Sequence, residues 1–175
     1  CCVAWSGQWD SSNARSLMRA ARARGALPWS FELGNELAGP HGVEARTIDA
    51  ETYARDVDEL ARAIDEELGV NGGGRGEERP LLVAYDSFFV PEYVARLLEA
   101  TDKIEVLTTH AYELGAGVDP HVPQTALNTS VFDAQRSEYA LTAAVVRNAT
   151  RSRAVPWVGE AGGAYNSGSP GTTDP

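Results

Sequence analysis

Residues 80–112 read PLLVAYDSFFVPEYVARLLEATDKIEVLTTHAY, and the alternation of apolar and polar positions in this stretch decides the fold class. Leu81 to Tyr85 is an apolar run of strand length. Pro91 stands where a helix accepts proline, at its first residue, since the missing N–H has no intrahelical partner there. Val94, Leu97 and Leu98 follow at helical spacing, and Ile104 to Thr108 returns to a strand. Apolar strands separated by an amphipathic helix are what a parallel sheet covered by helices requires.

Working outward, the same unit recurs. From Glu51 to Leu68, the residues Tyr53, Val57, Leu60, Ile64 and Leu68 form the clearest amphipathic stripe in the chain. Before it, Trp29 to Leu33 reads as a strand stopped by Gly34-Asn35-Glu36. Earlier still, Ser11 or Ser12 can cap a helix carrying Ala14, Leu17, Met18 and Ala21, with Gly25 placed to end it. Asn71 to Glu78 is glycine-rich and charged without periodicity, so it is expected to be a surface loop. It has neither the G-x-G-x-x-G spacing nor the Lys-Ser/Thr of a phosphate loop, which removes a nucleotide role. Downstream, a loop through Gly115, Gly117, Pro120 and Pro123 leads to a predicted helix from about Asp133 to Asn148, with Leu141, Ala144 and Val145 on one face. Val155 to Val158 then forms a strand ending at Gly159-Glu160. Pro156 deletes a ladder donor, so that strand is expected to be short or bulged there. The class is α/β. Four strand-helix steps without a nucleotide fingerprint favour part of a (β/α)8 barrel, with a doubly wound sheet still open on pattern alone.

Composition narrows the function. The 175 residues, 43% of them hydrophobic, can bury one sizeable core. A net charge of -10, from 25 acidic against 15 basic residues, repels nucleic acid and anionic lipid, so nucleic-acid binding is excluded first. No apolar run reaches the roughly 18–20 residues of a membrane-spanning helix. The absence of a starting Met and the Gly/Ser/Thr/Pro-rich stretch up to Pro175 predict a piece of a longer chain. Cys1 and Cys2, adjacent at one end, form neither a disulfide framework nor a spaced metal site. The sequons at Asn128 and Asn148 are usable only on the secretory route.

In a parallel barrel, working residues gather at the C-terminal ends of strands, where the following loops share one rim. Those positions hold Asn35 and Glu36, Tyr85 and Asp86, His110 and Tyr112, and Glu160. Two glutamates at such ends match the carboxylates of a glycosidase. Retaining hydrolysis needs one protonated acid to release the leaving oxygen and one ionised carboxylate to attack the anomeric carbon, about 5–5.5 Å apart. Plainer readings stand beside this one: a glutamate in a loop as a solvated charge, Asn35 as a turn residue tolerating positive φ, His110 as a satisfied core histidine, Tyr112 as a packing aromatic.

Four strings point further: Trp9-Asp10-Ser11-Ser12-Asn13-Ala14, Phe31-Glu32-Leu33-Gly34-Asn35-Glu36-Leu37, the stretch from His110 to His121, and the stretch from Val158 to Gly168. Together they resemble heparanase and the heparanase-like proteins of glycoside hydrolase family 79, with the plant-type members nearest in look, from about Trp5 to the end. The resemblance implies a retaining β-glucuronidase built on a clan A (β/α)8 barrel. This chain would supply strands four to seven, the middle of the catalytic domain over residues 1–175, with strands one to three and eight absent. It implies Glu36 as general acid/base and Glu160 as nucleophile. It further implies Asn35 as a partner of the sugar 2-hydroxyl, Tyr112 as the tyrosine holding the nucleophile ionised, and His110 as a substrate-side histidine. Tyr165, with the turn through Asn166 and Ser167, matches the segment that meets the substrate carboxylate through backbone N–H groups. Animal heparanases carry glycines at that turn, so side chains crowd the approach here. No metal or organic cofactor is implied. The negative charge and the lack of a basic cluster fit a small glucuronide, or a glucuronic-acid-containing glycan, better than a sulfated polysaccharide. The expected location is secreted or vacuolar-lysosomal, with membrane association a further option and no transmembrane segment in these residues. Two rivals remain: a non-catalytic glycan-binding relic of the barrel, and a clan A glycosidase acting on a neutral sugar.

Overall fold

The computed structural model of the chain describes residues 9–37, 48–68 and 79–173. Four parallel strands lie in sequence order, β1 (Ser30–Glu32), β2 (Leu81–Phe88), β3 (Val106–Tyr112) and β4 (Val155–Gly162). The helices are α1 (Ser12–Ala23), α2 (Ala50–Leu68), α3 (Pro91–Ala100), α4 (Val122–Ala126) and α5 (Thr129–Asn148). The expected loop at Asn71 to Glu78 lies outside the described residues.

The helix-facing core joins Met18 of α1, Tyr53, Val57, Leu60 and Ile64 of α2, Leu82 and Ala84 of β2, Val94, Leu97 and Leu98 of α3, Leu107 of β3 and Val146 of α5. The apolar stripe read from α2 is therefore the surface that meets the sheet. The opposite face of the sheet curls inward. Thr108 of β3 donates to Glu32 of β1, reaching past β2. Trp29, just before β1, stacks on Trp157 of β4 with ring centroids 5.7 Å apart and planes 12° from parallel. Side chains from non-neighbouring strands meet in this way only when a sheet bends into the arc of a barrel. Strand order without a reversal excludes the doubly wound alternative. The arc is open, with β1 and β4 as its edges.

Several expectations need correction. Ser11 precedes α1 but makes no cap hydrogen bond; its hydroxyl instead joins Glu59 and Arg15, and Asp10 accepts the Ser12 N–H at 2.9 Å. Strand β2 does not stop at Tyr85 but passes through a bulge, with Tyr85 at φ 94° and Asp86 at φ 44°, and runs on to Phe88. Strands β3 and β4 likewise extend, so His110, Tyr112 and Glu160 lie inside strands rather than after them. The loop after Gly117 contains α4, which takes Pro123 in its first turn. Helix α5 starts at Thr129, capped by the Asn128 side chain, which accepts the Ser130 N–H. Its buried positions are Thr142 and Val146; Leu141 is exposed because α3 covers the neighbouring face. Pro156 causes no bulge. The Val155 N–H donates inward to Glu105, so the next nitrogen, that of Pro156, faces the open edge, where no donor is needed. The irregularity falls opposite Thr109 and His110, at Gly159. Both sequon asparagines, Asn128 and Asn148, are exposed. Among the described residues no helix is long and apolar enough to cross a membrane.

Candidate active site

The C-terminal rim is assembled by long-range hydrogen bonds. The buried hydroxyl of Tyr53 on α2 donates to Leu33 O at 2.7 Å and accepts the Tyr85 N–H at 3.1 Å, tying the ends of β1 and β2 together. After β1 the chain turns at Gly34, φ 83°, where a Cβ would meet Leu37 Cδ1 at 2.2 Å. Glu36 follows at φ 50°, held there by its N–H donating to Asp86 O at 2.7 Å. Positive φ therefore falls on Gly34 and Glu36, and not on Asn35 as the turn reading expected. Three left-handed non-glycine residues, Glu36, Tyr85 and Asp86, sit at one point of the rim. Such conformations cost about 1–3 kcal/mol each and persist where surrounding contacts enforce them, commonly at functional sites.

The side chains close the arrangement. His110 is fully buried, with Nδ1 2.9 Å from Glu36 Oε1 and Nε2 2.7 Å from Asp86 Oδ1. Glu160 Oε2 lies 3.6 Å from the same Nδ1 and accepts the Tyr112 hydroxyl at 3.0 Å. Reactive atoms of Glu36, His110 and Glu160 all lie within 4.8 Å of one another. That reach would also suit a metal ligand set, but Glu36 and Glu160 are each already engaged by a protein donor. Burial of the imidazole lowers its proton affinity. The hydrogen bonds to Asp86 and Glu36 and the charges of Asp86 and Glu160 outweigh this and raise its pKa to about 9. Tyr112 is pushed up by burial and then by the Glu160 carboxylate it faces. Glu32, beneath the site, is pushed up mainly by desolvation against the hydrogen bond from Thr108, with the charges of Asp86 and Glu160 adding to the rise.

Gly159 lets β4 approach, since a Cβ there would lie 2.9 Å from Thr108 Cβ. A small second core of Leu114, Val122 and Ala164 pins the loop after β3 to the turn after β4. That pinning brings the Tyr165 ring edge-on to Phe88 and Tyr112, at centroid distances of 6.0 and 6.4 Å. Asn166, Ser167 and Gly168 then follow at φ 61°, 68° and 79°. Asn166 and Ser167 thus occupy backbone positions that glycine takes at less cost.

The structure gathers Glu36, His110, Tyr112 and Glu160 into one contact network, with Tyr165 beside it. Asn35 sits next to Glu36, exposed, with no side-chain hydrogen bond among the described residues. Nor do the exposed side chains of Asn166 and Ser167 bind a described polar group. Sequence reasoning noted Asp86 at a strand end without a role, and it missed Glu32, Thr108 and Phe88. The available signal was an aspartate closing the apolar run Leu81 to Tyr85: a carboxylate in a buried strand demands a partner.

The family model described as "Glycosyl hydrolase family 79, N-terminal domain" matches residues 2–175. The chain is 34% identical over 163 residues to heparanase-like protein 3 of Arabidopsis thaliana, covering 93% of this chain and 29% of that protein. Against heparanase-like protein 1 of the same plant it is 34% identical over 170 residues, 94% of this chain and 30% of the other. Against baicalin-β-D-glucuronidase of Scutellaria baicalensis it is 34% identical over 172 residues, 96% of this chain and 31% of the other. The chain thus spans less than a third of the length of these relatives.

Proposed function

Because the chain belongs to glycosyl hydrolase family 79, we propose that it carries the catalytic carboxylates of a retaining β-glucuronidase, as strands four to seven of a barrel completed in a longer polypeptide. The observation that carries this reading is the pair Glu36 and Glu160, from opposite edges of the sheet, with carboxylate oxygens within 4.8 Å. That separation suits direct attack on the sugar; inverting hydrolysis needs the wider gap of about 6.5–9.5 Å that admits a water.

Glu36 protonates the glycosidic oxygen while Glu160 attacks C1, forming a glycosyl-enzyme. Glu36 then takes a proton from water as that water displaces Glu160, giving net retention. Tyr112, donating to Glu160 at 3.0 Å, aims that carboxylate. Asn35 addresses the sugar 2-hydroxyl. Tyr165 and the backbone N–H groups of Asn166 and Ser167 receive the uronate carboxylate. The substrate is a small glucuronide or a glycan ending in glucuronic acid. The Scutellaria relative is named as a β-D-glucuronidase of baicalin, and a net charge of -10 disfavours a sulfated polymer. Exposed Asn128 and Asn148 suit a protein of the secretory route.

The test compares release of one chromophore from its β-glucuronide, β-glucoside and β-galactoside by the complete polypeptide that contains these residues. Glucuronide is the expected substrate, and preference for a neutral sugar removes the uronate assignment. Glu160→Ala abolishes covalent labelling by a cyclophellitol-type glucuronide probe, and undiminished labelling moves the nucleophile elsewhere.

A further inference from the structure

Both ring nitrogens of His110 face carboxylates, Glu36 Oε1 at 2.9 Å and Asp86 Oδ1 at 2.7 Å. A nitrogen-oxygen bridge of that length needs a proton between its atoms, because two facing lone pairs repel. Two bridges need two protons among Asp86, His110 and Glu36, whereas a neutral imidazole between two carboxylates supplies one. The buried imidazole has few alternatives, with 0% of its side chain accessible. Among the described residues, the other titratable groups around it are Glu160 of β4, Glu32 of β1 and its own strand neighbour Tyr112. The two further carboxylates favour keeping the second proton. Of the two bridges, the one to Asp86 is shorter and deeper, the Asp86 side chain being 11% exposed against 18% for Glu36. The mobile proton therefore lies on the Glu36 side, toward the sugar.

We propose that Asp86 is a positioning residue which, through His110, holds that second proton on the His110–Glu36 bridge and makes the bridge the reservoir for protonating the leaving group. The inference rests on Glu36 being the proton donor of the reading above. In the first half-reaction, the proton passes from Nδ1 to Glu36 and on to the glycosidic oxygen as the C1–O bond breaks and the Glu160–C1 bond forms. His110 is left neutral, still donating from Nε2 to Asp86. In the second, water bonds to C1 as the Glu160–C1 bond breaks, and its proton returns through Glu36 to Nδ1. Neither half-reaction gains or loses a proton overall.

Asp86→Asn keeps the shape and one acceptor oxygen but removes the charge. In the complete polypeptide, the alkaline limb of kcat/KM for an aryl β-glucuronide with a poor leaving group moves down by about 1–3 pH units. The rate on the dinitrophenyl glucuronide, whose leaving group departs unprotonated, stays within a few-fold. Glu66→Gln, at an exposed position on α2, leaves the limb in place. An unmoved limb in active Asp86→Asn overturns the proposal, as does an equal loss on both substrates, which marks a structural role. If the unsubstituted protein cleaves no glucuronide, the glucuronidase reading falls by itself. The reservoir is then read by ring-nitrogen NMR of His110, assigned by the signal lost in His110→Gln. Its titration is expected to centre above pH 7. Completion below pH 7 overturns the proposal, and this readout does not depend on Asp86→Asn folding.

Discussion

Raising the pH should loosen the fold through His110, and His110→Asn should erase that dependence. The ring titrates at about 9 in the folded chain against an ordinary value of 6.5; burial opposes the rise and the bonds to Asp86 and Glu36 drive it. A group that binds its proton more tightly when folded stabilises the fold fully below its unfolded pKa, and that contribution drains away as pH climbs through the folded one. The window therefore runs from about 6.5 to about 9. At about 1.4 kcal/mol per pH unit, the interval corresponds to about 3 kcal/mol, shared with the carboxylates the ring pairs with and not to be counted again for them. The assay is urea unfolding at fixed ionic strength across that window. With a denaturant slope of about 2–3 kcal/mol/M, the unsubstituted chain loses about 1 M in its midpoint, whereas His110→Asn starts lower and stays level. A flat midpoint in the unsubstituted chain, or two curves falling in parallel, would refute the assignment of a shared charge to this ring.

Three further outcomes follow from single contacts. Tyr112→Phe removes the donor 3.0 Å from Glu160. A hydrogen bond to a charge contributes about 1.5–3 kcal/mol, so kcat/KM on an aryl glucuronide should fall about tenfold to a hundredfold, and an unchanged value would dismiss the tyrosine as packing. Tyr53→Phe orphans the Leu33 carbonyl and the Tyr85 N–H. It should cost about 1–3 kcal/mol in urea unfolding, and finding it neutral would show that the two strand ends are held without it. Gly159→Ala drives a methyl to 2.9 Å from Thr108 Cβ. Overpacking there should destabilise by about 1–3 kcal/mol, and a melting temperature equal to the parent's would mean that β4 is free to shift outward.

How much of this could be read without coordinates differs between the sheet and its rim. The strand-helix order, and the match of Tyr53, Val57, Leu60 and Ile64 to one buried helical face, were legible because a hydrophobic period is expressed within a few turns of chain. Glu36 beyond the end of β1 was legible for the related reason that a strand end followed by a turn is a local event, whereas Glu160 lies inside β4, which runs on to Gly162. Helix α5 was read less well because its start depends on Asn128 as a cap and its buried face on where α3 lies. The barrel arc, preferred only by pattern, became visible in the meeting of Trp29 with Trp157.

The sequence by itself determined the α/β class, the succession of strands and helices along the chain, and the place of Glu36 just beyond a strand. Tertiary structure alone decided that Asp86 belongs to the site, that Glu36 and Asp86 adopt left-handed backbone, and that His110 bridges them. The bonds responsible join residues 74 and 24 positions apart. No periodicity records which distant groups will face each other once the sheet curls, because the curl comes from the twist and packing of all the strands together.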